Sequence, residues 1–292
     1  MKSFINPFLL ITILFIACND KSNIKEVEIF KKNTSSIYQT KNDSAPVIYV
    51  AVSNMISPME TFNLYKDVMD YISKKIDIHI EFKQRKTYQE VNDLLIDHKL
   101  DFAFICTGAY MQLKSKYPIE ILAVPVVEGK PYYNAYVIAN EESNINNLSD
   151  LKGKSFAFTD PLSNTGYEYI NQLLKDNGTS PEKFFSKTIF TYAHDYSIQA
   201  VKRKIVDGAT VDGLVYEYLK HFQPDKVEKI KIVHKSKPFG IPPFVVQKDL
   251  NKEIKEKLKK VMLNMHLDAE GRNILNKIMI DKFIEADDSL YK

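Results

Sequence analysis

A two-lobed α/β fold is predicted by two observations. Short β-rich runs alternate with helical patterns from Pro46 onward, and the alternation restarts after a polar break over 140–153. Composition is consistent with this: 292 residues, 45% hydrophobic and 12% aromatic, suffice for two cores. Nine glycines, twelve prolines and no tryptophan exclude collagenous and low-complexity chains. Lys and Arg number 40 against 37 Asp and Glu, without runs of one sign, which argues against a nucleic-acid partner.

The order of elements begins with an export signal. Lys2 precedes the apolar run Phe8 to Ala17, which is shorter than the roughly 20 residues a membrane-spanning helix needs. Residues 1–17 therefore read as a signal peptide. The Ala17-Cys18 junction resembles a bacterial lipobox, with Phe15 where leucine is usual and Leu14 one residue earlier. An ordinary signal followed by a chance cysteine is the alternative; lipid attachment at Cys18 is the favoured reading. Cys106 would then lack a partner, so the exported fold is expected to do without disulfides. Residues 18–45 are polar and without sustained period, as in a tether.

Next come strands over 47–53, 78–82 and 101–106, separated by helices whose apolar faces carry Tyr65, Val68, Met69 and Ile72, then Tyr88, Val91, Leu94 and Leu95. Strand, helix, strand in this order indicates βαβ units and parallel pairing. A β-rich region follows over 119–127 and 135–139. After the polar break, strands are expected over 155–158, 188–192, 209–211 and 229–233, with helices over 165–174 and 197–205. The last segment is helical, Ile254, Leu258, Val261, Met262 and Met265 sharing one face.

Three phrases carry chemistry. Thr159-Asp-Pro-Leu-Ser-Asn-Thr-Gly-Tyr167 lies between a strand and a helix, where the first amides of the helix have no internal partner and favour an anion. Ser163, Asn164 and Thr165 add side-chain donors, although Ser, Asn and Thr in that place are also what an ordinary N-cap uses. His194 ends a strand in a second strand-to-helix phrase, so that it and the Ser163 turn share the carboxyl edge of one sheet. Asp212 closes Val206-Asp-Gly-Ala-Thr-Val-Asp212, and its plain reading is a solvated loop acid.

Asp160 to Gly166, His194 to Ile198 and Val206 to Asp212, in that order, resemble the solute-binding proteins of phosphate, phosphite and phosphonate ABC importers, from about Val47 to the Pro-Phe-Gly-Ile-Pro-Pro phrase at 238–243. The resemblance implies a type II periplasmic-binding fold, its mixed and mostly parallel sheets joined by a two-crossing hinge near Val137 and Val245. Lobe 1 would comprise 46–137 plus 245–292, and lobe 2 residues 138–244. By the same resemblance Ser163, Asn164 and Thr165 hold the phosphorus oxygens, His194 donates and Asp212 accepts. Tyr88 and Tyr110 would add hydroxyls from lobe 1, although both also suit a buried core. The phrase Cys106-Thr-Gly-Ala-Tyr110 departs from the Gly-Pro form commoner in the family.

The implied protein is a monomeric, extracytoplasmic lipoprotein, periplasmic or cell-surface, that delivers a small phosphorus oxyanion to an ABC permease, with no cofactor. A sensor lipoprotein without an importer is the alternative. A phosphoryl-ester hydrolase fits less well: Ser163, His194 and Asp212 are nominally a nucleophile, base and acid, but Ser163 lies in no Gly-x-Ser-x-Gly elbow. No metal is expected, since His79, His98, His221, His234 and His266 fall on separate elements, and no phosphate-cradling GxxxxGK[ST] or GxGxxG occurs.

Overall fold

The computed structural model describes residues 46–292; the signal segment, Cys18 and the tether lie outside the described residues. In chain order the first half of lobe 1 runs β1 (Val47–Val52), α1 (Pro58–Ile76), β2 (His79–Phe82), α2 (Tyr88–Ile96), β3 (Phe102–Phe104), α3 (Thr107–Lys114) and β4 (Ile119–Val126). Pro58 sits at the start of α1, where its fixed φ suits a helix and its missing N–H costs nothing. Val68, Met69, Ile72 and Ile76 of α1 are buried, at helical spacing. The α2 start is set by a capping box, Thr87 accepting from the Glu90 N–H while Glu90 reaches back.

The short strand β5 (Tyr132–Tyr133) then leads to β6 (Ala135–Asn140), β7 (Ser155–Phe158), α4 (Tyr169–Asp176), α5 (Pro181–Phe184), β8 (Lys187–Phe190), α6 (His194–Lys202), β9 (Gly208–Asp212), α7 (Gly213–Phe222) and β10 (Ile230–Lys235). The chain returns through β11 (Phe239–Gly240) and β12 (Phe244–Gln247), and ends with α8 (Lys252–Asn264), α9 (Ala269–Asn276) and β13 (Lys282–Ile284).

Two large sheets result, one per lobe. The first has the order β13-β4-β12-β3-β1-β2, the second β10-β6-β9-β7-β8. Parallel pairing occurs where a helix crosses over, between β1 and β2, β1 and β3, β7 and β8, and β7 and β9. The strands β6, β10, β12 and β13 pair antiparallel with their neighbours. The sheets are therefore mixed, with less parallel pairing than expected. Each sheet has an aromatic core: Phe104 stacks on Phe244 at 4.5 Å in the first, and Phe156 on Phe185 at 4.2 Å in the second.

The crossings between lobes differ in place from the expectation. Val137 pairs with Thr210 inside the second sheet, and Val245 with Ala103 and Ile121 inside the first. Both valines are fully buried, and a strand paired on both sides does not absorb a rotation. The chain instead changes sheets where β5 and β11 form their own two-stranded ribbon, Phe239 opposite Tyr133 and Gly240 opposite Tyr132. The change from first to second sheet is complete at Ala135, three residues before the boundary placed at 138. Pro131, Pro242 and Pro243 flank this ribbon and limit ladder hydrogen bonding there.

Candidate functional site

The parallel strands β1, β2, β3, β7 and β8, with the central β9, are each followed by a helical N-terminus at their carboxyl ends. The residues just before these helical turns are Ser57, Thr87, Cys106, Ser163, Ala193 and Asp212. The positive ends of six helical segments thus border one cleft between the lobes.

At its centre, Ser163 begins a single π-helical turn, Asn164–Glu168, ahead of α4. The Ser163 hydroxyl oxygen accepts the Gly166 N–H at 3.0 Å and keeps its own hydrogen to donate. Gly166 is required here: a Cβ would stand 2.6 Å from the Thr159 Cβ and 2.8 Å from the Ser163 Oγ. His194 is fully buried beside this turn. Its Nδ1 accepts the Asp212 N–H at 3.0 Å, with the Thr159 hydroxyl also 3.0 Å away. That contact assigns the proton of the neutral ring to Nε2, which lies 3.5 Å from the Ser163 Oγ. Burial lowers the imidazole pKa to about 3, so His194 is an uncharged donor at neutral pH.

Asp212 caps α7, its Oδ1 accepting the Leu214 N–H at 2.7 Å. It is 1% exposed, and burial raises its carboxyl to about 7 against the pull of the α7 amides. It is therefore not the solvated loop acid of its plain reading. Burial likewise pushes the Cys106 thiol up to about 11, although the Asn164 and Gly108 N–H groups face its sulfur.

Around these groups lie buried polar atoms without a partner: the Tyr88 and Tyr133 hydroxyls, the Asn164 side-chain amide nitrogen, the Thr165 hydroxyl and the Ser53 hydroxyl. Buried polar groups are nearly always satisfied, so this cluster of donors suits a ligand that accepts several hydrogen bonds at once.

Of the residues singled out in the sequence, the structure brings together Tyr88, Ser163, Asn164, Thr165, His194 and Asp212. It does not bring Tyr110 to them. The Tyr110 hydroxyl donates to Asp288 and its ring packs on Tyr291 at 4.9 Å, among buried residues that include Leu113 and Val245. The Tyr133 hydroxyl lies in the cluster instead, and sequence reading missed it along with Ser53 and Thr159. Ser53, a polar residue ending an apolar strand, was the one visible signal.

The lobes touch across this cleft. His194 N–H donates to the Met55 carbonyl at 2.9 Å, Ser57 N–H to Asp195 Oδ1 at 2.9 Å and Tyr88 N–H to Asp160 Oδ2 at 3.1 Å. Two carboxylates of lobe 2 thus occupy amides at the starts of α1 and α2, where the helix dipole favours negative charge. Gly108 lets the lobes approach, because a Cβ there would stand 2.4 Å from the Leu162 carbonyl oxygen. This is a closed arrangement.

Residues 50–291 match the family described as the periplasmic phosphonate substrate-binding protein of ABC transporters. The chain belongs to this family. It is 25% identical over 212 residues to the phosphonates-binding periplasmic protein of Escherichia coli (strain K12), covering 71% of this chain and 62% of that protein. It is 29% identical over 206 residues to the phosphate-import protein PhnD of Mycolicibacterium smegmatis, covering 67% of this chain and 64% of that one. The chain thus spans less than two thirds of the length of these curated relatives. A crystal structure of a binding protein component of an ABC phosphonate transporter from Pseudomonas aeruginosa superposes with a TM-score of 0.79 at 26% identity, covering 84% of this chain and 83% of that one. The fold of this family is the type II periplasmic-binding architecture of two lobes. Among the described residues no group of His, Cys, Asp and Glu is arranged to hold a metal ion.

Proposed function

We propose that this chain is an extracytoplasmic lipoprotein that captures phosphate, phosphite or a phosphonate in the interlobe cleft and delivers it to the permease of an ABC importer. One observation carries the reading: the unpartnered donors of Tyr88, Tyr133, Asn164 and Thr165, gathered around the donors Ser163 and His194 and the single carboxyl of Asp212. A tetrahedral oxyanion accepts hydrogen bonds in several directions at once. Hydrogen bonds to a charged group contribute roughly 1.5–3 kcal/mol each, so a few suffice for the about 8 kcal/mol of micromolar binding after closure costs. The membrane anchor would be the thioether at Cys18, supported by the Ala17-Cys18 junction; fatty-acid labelling that Cys18→Ser abolishes checks that part.

Asp212 gives the proposal its selectivity. A carboxylate facing an anion is repulsive unless one proton lies between them. Monohydrogen phosphate brings that proton, whereas sulfate does not. Below about pH 7 the carboxyl itself carries the proton and can donate to either anion. We therefore expect phosphate to be preferred over sulfate, and the preference to widen from pH 6 to pH 8. Calorimetric titration with phosphate, phosphite, methylphosphonate and sulfate at both pH values tests this. Failure of every phosphorus oxyanion to bind, or equal affinity for sulfate and phosphate at pH 8, would refute it.

A further inference from the structure

A cavity of about 230 Å³ lies beside the donor cluster. It shares Ser53, Tyr133 and Asp212 with that cluster, so the unpartnered Ser53 and Tyr133 hydroxyls and the buried carboxyl are common to both. Elsewhere its walls are largely apolar. Met55 follows β1, Leu64 comes from α1, Leu214 and Val215 begin α7, and Ile278 and Ile280 lie between α9 and β13. Both lobes contribute, and Met55, Val215 and Ile280 are 8%, 6% and 5% exposed. The exposed Glu128 and Lys130 mark where it opens to solvent.

Polar donors on one side and an apolar chamber on the other are the complement of an amphiphile with a charged head. An apolar cavity of about 150 Å³ stays dry and admits benzene, so this one has room for a substituent of about six carbons. A bare oxyanion at the donors would leave those walls without contacts. We propose that the chamber receives the organic group of the ligand, and that the preferred substrates are phosphonates carrying an apolar alkyl or aryl group. This rests on the reading of the donor cluster as the oxyanion site.

The test is a calorimetric series of methyl-, ethyl-, butyl-, hexyl- and phenylphosphonate, with inorganic phosphate as the bare head group. Kd is expected to fall roughly two- to fourfold per added methylene up to about six carbons, the range reflecting the ordering of the chain. The heat-capacity change of binding should grow more negative along the series, as burial of apolar surface requires. Leu64→Trp, which narrows the chamber, should weaken hexylphosphonate binding by a larger factor than methylphosphonate binding and so flatten the series. The unmodified series decides the matter even where that variant does not fold. Binding of methylphosphonate with hexyl- and phenylphosphonate equal or weaker overturns the substituent chamber and leaves the oxyanion site standing. Absence of binding by every phosphorus compound overturns the oxyanion reading and this inference with it.

Discussion

Thr165→Val and Tyr88→Phe are each expected to stabilise the ligand-free protein by about 1 kcal/mol while weakening oxyanion binding roughly 10- to 100-fold. Both hydroxyls are fully buried, and neither has a partner. A hydroxyl buried without a hydrogen bond costs about 1–3 kcal/mol in proteins, and both replacements remove it while nearly keeping the shape of the side chain. The same hydroxyl facing an anion makes a charge-assisted bond, whose loss falls entirely on the complex. The two effects have opposite sign, which separates a binding group from a structural one. A hydroxyl that served the fold would lose stability on removal and leave affinity alone. Urea denaturation of the ligand-free variants and calorimetric titration with phosphate or methylphosphonate read the two quantities independently. A Thr165→Val protein that is less stable than its parent and binds equally well would remove Thr165 from the site. Stability given up at a cluster of unsatisfied donors is the ordinary cost of a prepared binding site.

How much of this was legible in the sequence depends on how local each signal is. The Ser163 turn and His194 were readable because polar residues stand between a strand and a helix, and each sits where its own sheet ends. Asp212 was readable as a position; its burial was not, because that depends on lobe 1 closing over it. Tyr110 misled for the same reason. Its partner Asp288 lies 178 residues away, in the turn that ends the chain, and no local pattern announces that contact. Tyr132 and Tyr133 are neighbours in a two-residue strand, so their side chains point to opposite faces. The sequence alone does not say which faces the cleft; the structure leaves Tyr132 47% exposed and Tyr133 2%. Strand order and direction in the return segments were likewise unreadable, because an antiparallel β12 between β3 and β4 depends on where the chain crosses back.

Asp212→Asn and His194→Gln should tilt the pH dependence of stability in opposite directions. Burial holds the Asp212 carboxyl at about 7, above its ordinary value of 3.8, and the His194 imidazole at about 3, below its ordinary 6.5. Between about pH 4 and 6.5 the unfolded chain has released the aspartate proton and taken up the histidine proton, while the folded chain has kept the first and refused the second. The two states then bind equal numbers of protons at these sites, and the slopes cancel. With Asp212→Asn only the histidine remains: the unfolded chain binds more protons, so stability rises with pH from about 3 to 6.5. With His194→Gln only the carboxyl remains: the folded chain binds more, so stability falls as pH rises from about 4 to 7. Each slope amounts to something on the order of 4 kcal/mol over its window. Asp160 and Asp195, whose carboxyls burial also raises, add a falling contribution common to parent and variants, and it drops out of the difference. Urea denaturation of all three proteins at half-unit steps from pH 4 to 7.5 measures those differences. A gap between Asp212→Asn and its parent that stays constant over this range would mean that the carboxyl does not titrate there. Under the proposed function, titration near neutrality would bear directly on capture, because Asp212 would then offer a phosphorus oxyanion either a proton or a lone pair, while His194 would stay an uncharged donor throughout.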